Sequence, residues 1–174
     1  LKILNLPEGK FGKKNAIIMG VNAAIGDIIL SSDADCSLPP KWVQTMAAYF
    51  LNNKIKLVSG PVSFCKRKGI FQNLQALEFA SLVGSGAGAI GINSPIFCNG
   101  ANMAYRREVF LEVNNFNNNN LVSGDDVFLL HAVKSIYPGS ILFARDKDAI
   151  VTTEGINNFS GFINQRKRWV AKSS

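Results

Sequence analysis

Apolar residues recur along the chain at two different spacings, and the two spacings alternate. Apolar residues three and four positions apart, as between residues 40 and 50, predict amphipathic helices. Short aliphatic runs that end at turn residues or prolines, as over residues 27–31, predict buried strands. The alternation predicts one layered α/β domain over residues 1–174, with helices at 13–24, 40–50, 70–89, 107–113, 125–135 and 159–171 and strands at 27–31, 56–65, 102–105, 140–144 and 149–153.

Three segments interrupt this pattern. Gly60 and Pro61 fall inside a predicted strand and favour an edge or a bend there. The asparagine-rich run 114–120 predicts a loop. Residues 79–105 carry no charge, but glycine, asparagine and proline break the run, so it predicts a buried helix of small residues and a loop, and no membrane span.

The composition limits the partners of this chain. Its formal net charge is +7, which favours an anionic partner such as a nucleic acid, an anionic lipid or a phosphorylated ligand. The basic residues gather at 10–14, 66–68 and 166–172, and no nucleic-acid-binding motif accompanies them, so we expect no nucleic acid. Three cysteines without a C-x-x-C pair indicate neither a zinc site nor a disulfide framework and favour a reduced compartment.

Two carboxylates, Asp33 and Asp35, directly follow the predicted strand at 27–31. The carboxyl ends of strands are where ligands bind in open α/β sheets. Two neighbouring acids repel each other unless a cation lies beside them, and Mg²⁺ is often held by one or two carboxylates together with substrate phosphates. The pair is therefore a candidate metal site, while a solvated acidic turn is the alternative for any single D-x-D sequence.

Four further segments carry candidate chemistry. Each also has an ordinary structural interpretation, which is, in the order of the segments given next, a solvated lysine, a buried thiol, a charged helix start and a core tryptophan. In chain order they are Lys13 behind Gly12 at a helix start, the turn 97–102 with Cys98, Asn99 and Gly100, the acids Asp125 and Asp126 at a helix start, and Gln165, Arg168 and Trp169 near the end.

In this order the five segments resemble the processive branch of the family 2 glycosyltransferases, which includes the synthases of cellulose, chitin, hyaluronan and poly-N-acetylglucosamine. The resemblance extends from Gly12 to Trp169. It implies a GT-A fold with a mixed sheet flanked by helices, a nucleotide-sugar donor of the UDP-sugar type, a saccharide acceptor, and inverting transfer in polysaccharide synthesis.

The resemblance also implies roles for the candidate residues. Asp35, helped by Asp33, is expected to hold Mg²⁺ or Mn²⁺ against the donor diphosphate. Asp126 matches the general base, and Asp125 is its acidic neighbour. Lys13 matches a donor-phosphate contact. The closing element that meets the diphosphate and the acceptor is matched by Gln165, Arg168 and Trp169, and the acceptor turn by Cys98, Asn99 and Gly100.

The chain departs from the family pattern in two ways. It has Asp125 where the family more often has Glu, which shortens that side chain. The first strands of the fold, which hold the nucleobase, and the membrane helices of processive members have no counterpart in this sequence. We therefore expect a partial catalytic domain, a poor transferase by itself, whose parent protein is membrane-anchored and works at the cytoplasmic face.

The chemistry of the residues agrees with sugar transfer. A carboxylate must take the proton of a sugar hydroxyl, and cations must meet the charge that develops on the leaving diphosphate. Two other functions stay open at this point. A nucleotidyltransferase that forms nucleotide sugars would use similar acids, although it would normally carry a glycine-rich phosphate loop that this chain lacks; a non-catalytic basic binding module is the other.

Overall fold

The computed structural model describes residues 2–65, 68–116 and 125–173 of the chain. Six helices and six strands follow one another along these residues, with two 3₁₀ turns. Their bounds are α1 Lys13–Ala23, β1 Ile28–Ser31, α2 Trp42–Ala48, a 3₁₀ turn Tyr49–Leu51, β2 Leu57–Ser59, β3 Val62–Phe64, α3 Ile70–Gly91, β4 Met103–Arg106, α4 Arg107–Phe116, α5 Asp125–Ile136, β5 Ile141–Phe143, a 3₁₀ turn Lys147–Ala149, β6 Val151–Thr153 and α6 Phe159–Ser173.

Every helix and strand predicted from the pattern has a counterpart, with ends shifted by a few residues, but the strand predicted over 56–65 is two strands, β2 and β3, in different sheets. The prediction of a loop over 114–120 was wrong at its start, because α4 continues to Phe116. Residues 117–120 lie outside the described residues.

The main sheet is mixed, as predicted. Its strand order is β1-β4-β2-β5, with β4 antiparallel to both neighbours and β2 parallel to β5. Met103, at the start of β4, lies between Ser31 and Ser59, the last residues of β1 and β2. The segments that follow β1 and β2 and the turn that precedes β4 therefore share one edge of the sheet.

The two faces of this sheet bury different residues, as the two-residue period of a strand requires. Leu57 and Tyr105 pack with α4 and α5 on one face. Val58, which follows Leu57 in β2, and Ala104, which precedes Tyr105 in β4, pack with α2 on the opposite face.

The interruption at Gly60 and Pro61 is a bend that moves the chain from the main sheet to a second one. After the bend, β3 pairs in parallel with β6. The buried side chain of Asn102 fills the inside of the bend, where a Cβ on Gly60 would lie 2.3 Å from its amide nitrogen. Asn102 also donates to the carbonyl oxygens of Pro61 and Ala149, both at 2.7 Å, so its amide fixes the point where the two sheets meet.

The uncharged stretch is the helix α3 followed by a loop, as predicted, but the helix is buried on one side only. Gly86 packs against the ring of Phe97, while Leu74 and Leu77 are exposed. No helix within the described part of the chain combines the length and the apolar character needed to cross a membrane.

Candidate active site

The first part of the site is the segment that leaves β1 at the shared edge of the sheet. The amide of Cys36 donates to the carbonyl oxygen of Asp33, which closes a turn around Asp35. Reciprocal backbone hydrogen bonds between Ser37 and Thr152, at 2.8 and 3.0 Å, fasten the end of this turn to β6. The turn therefore presents two carboxylates at the sheet edge on a backbone that is held on both sides.

Lys13 reaches this turn from the start of α1. Its Nζ donates to Asp33 Oδ1 at 2.6 Å, and both side chains are partly exposed. Gly12, directly before the helix, has φ +90°, a conformation that favours glycine over residues with a Cβ. The predicted phosphate contact and one predicted metal ligand are thus brought together, and they bind each other.

Asp35 is exposed and makes only weak contacts within the described residues. Thr153 Oγ1 lies 3.5 Å from its Oδ2, and Cys36 Sγ lies 3.8 Å from its Oδ1. Burial, followed by the neighbouring charges, raises the pKa of the Cys36 thiol, so this thiol is neutral at pH 7. The Asp35 carboxylate therefore has capacity for a further partner.

The donor atoms at this turn fit a hard divalent cation. Asp33 and Asp35 offer carboxylate oxygens, which suit Mg²⁺ and Mn²⁺. No group of three or more His, Cys, Asp or Glu side chains in residues 2–65, 68–116 and 125–173 could hold a metal ion by itself, and this turn supplies only two carboxylates. Two carboxylates completed by substrate phosphates match the way in which Mg²⁺ is usually bound.

The second part of the site joins the turn 97–102 to the start of α5. The amide of Gly100 donates to Asp126 Oδ2 at 2.9 Å, and the amide of Val127 donates to Oδ1 at 2.9 Å. Cys98 Sγ lies 3.3 Å from the carbonyl oxygen of Asp126. The Asp126 carboxylate is thus oriented by two backbone amides while its side chain stays partly exposed. The structure gives Asp125 as the first residue of α5, without a description of its side chain.

Cys98 and Asn99, both predicted to meet the acceptor, have structural contacts here. Cys98 is buried, and burial, followed by the charge of Asp126, raises its pKa well above the usual value, so it is a neutral thiol. Asn99 Oδ1 accepts a hydrogen bond from the amide of Ala101 at 3.0 Å, which holds the turn in shape.

The two parts of the site are joined through one residue, Gly100. Ser31 Oγ, at the end of β1, lies 3.4 Å from the carbonyl oxygen of Gly100, whose amide bonds to Asp126. The carboxylates that follow β1 and the carboxylate of Asp126 therefore lie at the same edge of the sheet.

The third predicted element lies on α6, and its role as a closing element stays a prediction. Trp169 is partly buried, with its ring 5.8 Å from that of Phe79. Gln165 Oε1 accepts a hydrogen bond from Arg166 Nη1 at 2.6 Å. Arg168 is exposed and has no hydrogen bond or ion pair within the described ranges. Trp169 packs in the same apolar cluster as Ala101 of the turn.

Sequence analysis missed two residues that fix α6. Arg166 Nε donates to Glu78 Oε1 at 2.8 Å, and its Nη2 bonds to Glu78 Oε2. The same guanidinium lies over the rings of Phe162 and Trp169, with its carbon 4.5 and 4.1 Å from their centroids. One feature of the sequence could have indicated the pair: Glu78 is the only charged residue in the 22 residues of α3.

Comparison with known proteins identifies the family of this chain. The profile of the family described as "Glycosyltransferase like family 2" matches residues 1–172. The chain belongs to glycosyltransferase like family 2. The membership confirms the predicted family, while the processive branch stays a prediction.

This family 2 domain is similar to a longer protein of Haloferax volcanii, the glucosyl-dolichyl phosphate glucuronosyltransferase. The two are 28% identical over 112 residues, which cover 61% of this chain and 34% of that protein. The chain thus spans about a third of the length of that relative.

Solved structures of glycosyltransferases share the fold. Glucosyl-3-phosphoglycerate synthase from Mycobacterium tuberculosis, crystallised with Mn²⁺, UDP-glucose and glycerol 3-phosphate, has a TM-score of 0.55 at 20% identity, over 94% of this chain and 54% of that one. Mannosyl-3-phosphoglycerate synthase from Rubrobacter xylanophilus has a TM-score of 0.51 at 13% identity, over 93% and 49%. These similarities confirm the predicted GT-A type of fold.

Proposed function

We propose that this family 2 domain belongs to a metal-dependent, inverting hexosyltransferase that moves a sugar from a UDP-sugar to a saccharide hydroxyl. The observation that carries the proposal is the meeting of two carboxylate sites at one sheet edge. Asp33 and Asp35 follow β1, and Asp126 is tied to the end of β1 through Gly100 and Ser31.

The β1 side of this edge suits the donor. Asp33 and Asp35 would hold Mg²⁺ or Mn²⁺, which would neutralise charge on the leaving diphosphate. Lys13 is within reach of the same place, because it already contacts Asp33. Mn²⁺ and UDP-glucose bound to the Mycobacterium tuberculosis synthase, which shares the fold, support this choice of donor and ion.

The α5 side suits the acceptor. In the proposed step, a lone pair of the acceptor hydroxyl forms a bond to the anomeric carbon from the face opposite the diphosphate. The bond between that carbon and the phosphate oxygen breaks, and its electron pair leaves with the nucleoside diphosphate. The proton of the hydroxyl passes to Asp126, whose two oxygens each keep an acceptor site beyond their backbone hydrogen bonds.

The proposal of a saccharide acceptor and of repeated transfer is based on the resemblance of Gln165, Arg168 and Trp169 to the closing element of polysaccharide synthases. The same resemblance supports a membrane-anchored parent protein that works at the cytoplasmic face. The names of the similar proteins include phosphoglycerate and dolichyl phosphate compounds, so these acceptors are the comparison arms of the test.

The test is a transfer assay with the full-length protein. UDP-sugars are incubated with oligosaccharides, 3-phosphoglycerate or a polyprenyl phosphate, with Mn²⁺ or with chelator. We expect metal-dependent transfer to an oligosaccharide. Transfer only to a phosphorylated acceptor would overturn the acceptor proposal, and formation of UDP-sugar from UTP and a sugar phosphate would identify a nucleotidyltransferase. Salt-sensitive binding to anionic polymers with no transfer would identify a binding module.

A further inference from the structure

We propose that the Gly100 peptide positions the general base Asp126, and that this, not contact with the acceptor, is the main catalytic contribution of the turn 97–102. The proposal rests on the proposed function. The family resemblance had assigned Gly100 to acceptor binding.

The contact between Gly100 and Asp126 is specific and spans the fold. Asp126 Oδ2 accepts a hydrogen bond from the Gly100 amide at 2.9 Å, although the two residues are 26 positions apart in the chain. The bond from the Val127 amide to Oδ1 orients the carboxylate only relative to its own helix. The Gly100 bond orients it relative to the sheet edge, where the β1 carboxylates lie.

The contact also leaves no room for a larger residue than glycine. A Cβ on Gly100 would lie 2.9 Å from Asp126 Oδ2, 3.3 Å from its Cβ and 3.4 Å from its Cγ. Gly100 is buried, and its φ is not in the left-handed region, so the need for glycine here comes from space. Any side chain at position 100 must push the base away.

The turn that carries Gly100 is braced on both sides. Asn99 Oδ1 accepts the Ala101 amide at 3.0 Å, and the Asn102 amide donates to the Asn99 carbonyl oxygen at 3.0 Å. Asn102 itself is buried, and its Oδ1 accepts the indole N–H of Trp42 at 3.0 Å. A backbone held in this way is suited to fix a catalytic group within the fraction of an ångström that proton transfer requires.

The first experiment compares two glycine-to-alanine substitutions in the full-length enzyme. Gly100→Ala should lower kcat by about 10- to 100-fold, the loss expected when a reacting group is displaced by about 1 Å. The donor KM and the affinity for Mn²⁺ with UDP should stay within twofold. Gly84→Ala is the matched control, because Gly84 is exposed on α3 and a Cβ there meets nothing within 4 Å. Equal kcat in both variants would overturn the proposal.

The second experiment decides whether Gly100 acts through the base. In an Asp126→Ala background, we expect Gly100→Ala to cause no further loss of single-turnover transfer, since the carboxylate that it displaces is gone. An equal loss with and without Asp126 would show that the turn acts on the acceptor, and would refute the proposal. Activity of the unmodified enzyme is the separate test of the proposed function.

A milder variant covers the case in which Gly100→Ala does not fold. Ser31→Ala removes the hydroxyl that lies 3.4 Å from the Gly100 carbonyl oxygen. We expect kcat to fall about two- to fivefold, the effect of one weak hydrogen bond, and the effect to disappear in the Asp126→Ala background. Unchanged kcat in a folded Ser31→Ala enzyme would count against the proposal.

Discussion

Lys13 Nζ lies 2.6 Å from Asp33 Oδ1, so the lysine expected to meet the donor phosphates neutralises a carboxylate expected to hold the metal. The two side chains are 56% and 42% exposed, and solvent screens their attraction. Pairs of this kind contribute on the order of 0–1 kcal/mol. A divalent cation and a diphosphate can therefore separate the pair by offering each partner a stronger contact.

The pair predicts opposite effects of one substitution on two ligands. Lys13→Met should strengthen binding of Mn²⁺ alone by up to about fivefold, because a competing cation is removed. It should weaken binding of UDP in the presence of Mn²⁺, because a phosphate contact is lost. Titration calorimetry of the full-length protein measures both. Lys54→Met, which removes an exposed lysine elsewhere, controls for the change in net charge; a shift of both affinities in the same direction would contradict the prediction.

Asp35 should be needed for metal-dependent donor binding and little needed for stability. Asp35→Asn removes the charge from an exposed side chain with contacts of only 3.5 and 3.8 Å, so we expect the urea midpoint to change little. Affinity for UDP-sugar with Mn²⁺ should fall to the level measured with chelator. Asp27→Asn, an exposed acid before the opposite end of β1, is the control. Metal-dependent affinity that survives Asp35→Asn would remove this residue from the metal site.

Asp126→Asn should separate chemistry from donor binding. We expect turnover to fall by roughly 10²–10⁴, the contribution of general base catalysis. UDP-sugar affinity should persist. The new amide has one oxygen for the two backbone N–H groups that Asp126 accepts, so the urea midpoint is measured in parallel. Turnover within a few-fold of the unmodified enzyme would exclude Asp126 as the base.

The clamp between Arg166 and Glu78 should stabilise the position of α6. Glu78→Gln leaves a guanidinium that is only 16% exposed without its carboxylate, and we expect a loss of about 1–2 kcal/mol of unfolding free energy, reduced by the partial exposure of Glu78. Glu108→Gln is the matched control, because Glu108 is 70% exposed in its pair with Lys56 and should matter little.

The same clamp should affect the donor. Because Arg166 and Arg168 lie on one helix, we expect Glu78→Gln also to raise the donor KM, and Glu108→Gln to leave it unchanged. Equal urea midpoints for the two variants would show that the clamp does not hold α6.

The buried thiol of Cys98 should make stability depend on alkaline pH. Its pKa is raised by burial first and by Asp126 second, so the folded protein keeps the proton longer than the unfolded chain does. The protonated Cys98 thiol contributes its full share to the free energy of unfolding below about pH 8.5, the pKa of a thiol in the unfolded chain. This contribution is lost as the pH rises toward the higher pKa of the folded protein.

Urea unfolding between pH 7 and pH 10 measures this dependence. Stability of the unmodified protein should decline more steeply above pH 8.5 than that of Cys98→Ala. Parallel curves for the two proteins would contradict the assignment. Cys36 and Cys65 are present in both proteins and therefore cancel in the comparison.

The sequence by itself determined the helices and strands of this domain and the place of its first acids. A helix or strand is specified by residues that are near neighbours in the chain, so the spacing of apolar positions predicted α1 and β1 within a few residues. The rule that carboxyl ends of strands meet ligands placed Asp33 and Asp35 at a sheet edge. The segments that carried the family resemblance are local in the same sense.

Only the tertiary structure decided which of these local elements meet. The strand order β1-β4-β2-β5, the packing of Asn102 into the bend at Gly60, and the contact of Gly100 with Asp126 each depend on residues far apart in the chain. The clamp between Glu78 and Arg166 joins residues 88 positions apart. No local pattern specifies such contacts, because they form only when whole helices and strands pack against one another. Packing buries charged groups and amides, and each buried group must then find a hydrogen-bond partner that comes from a distant part of the chain.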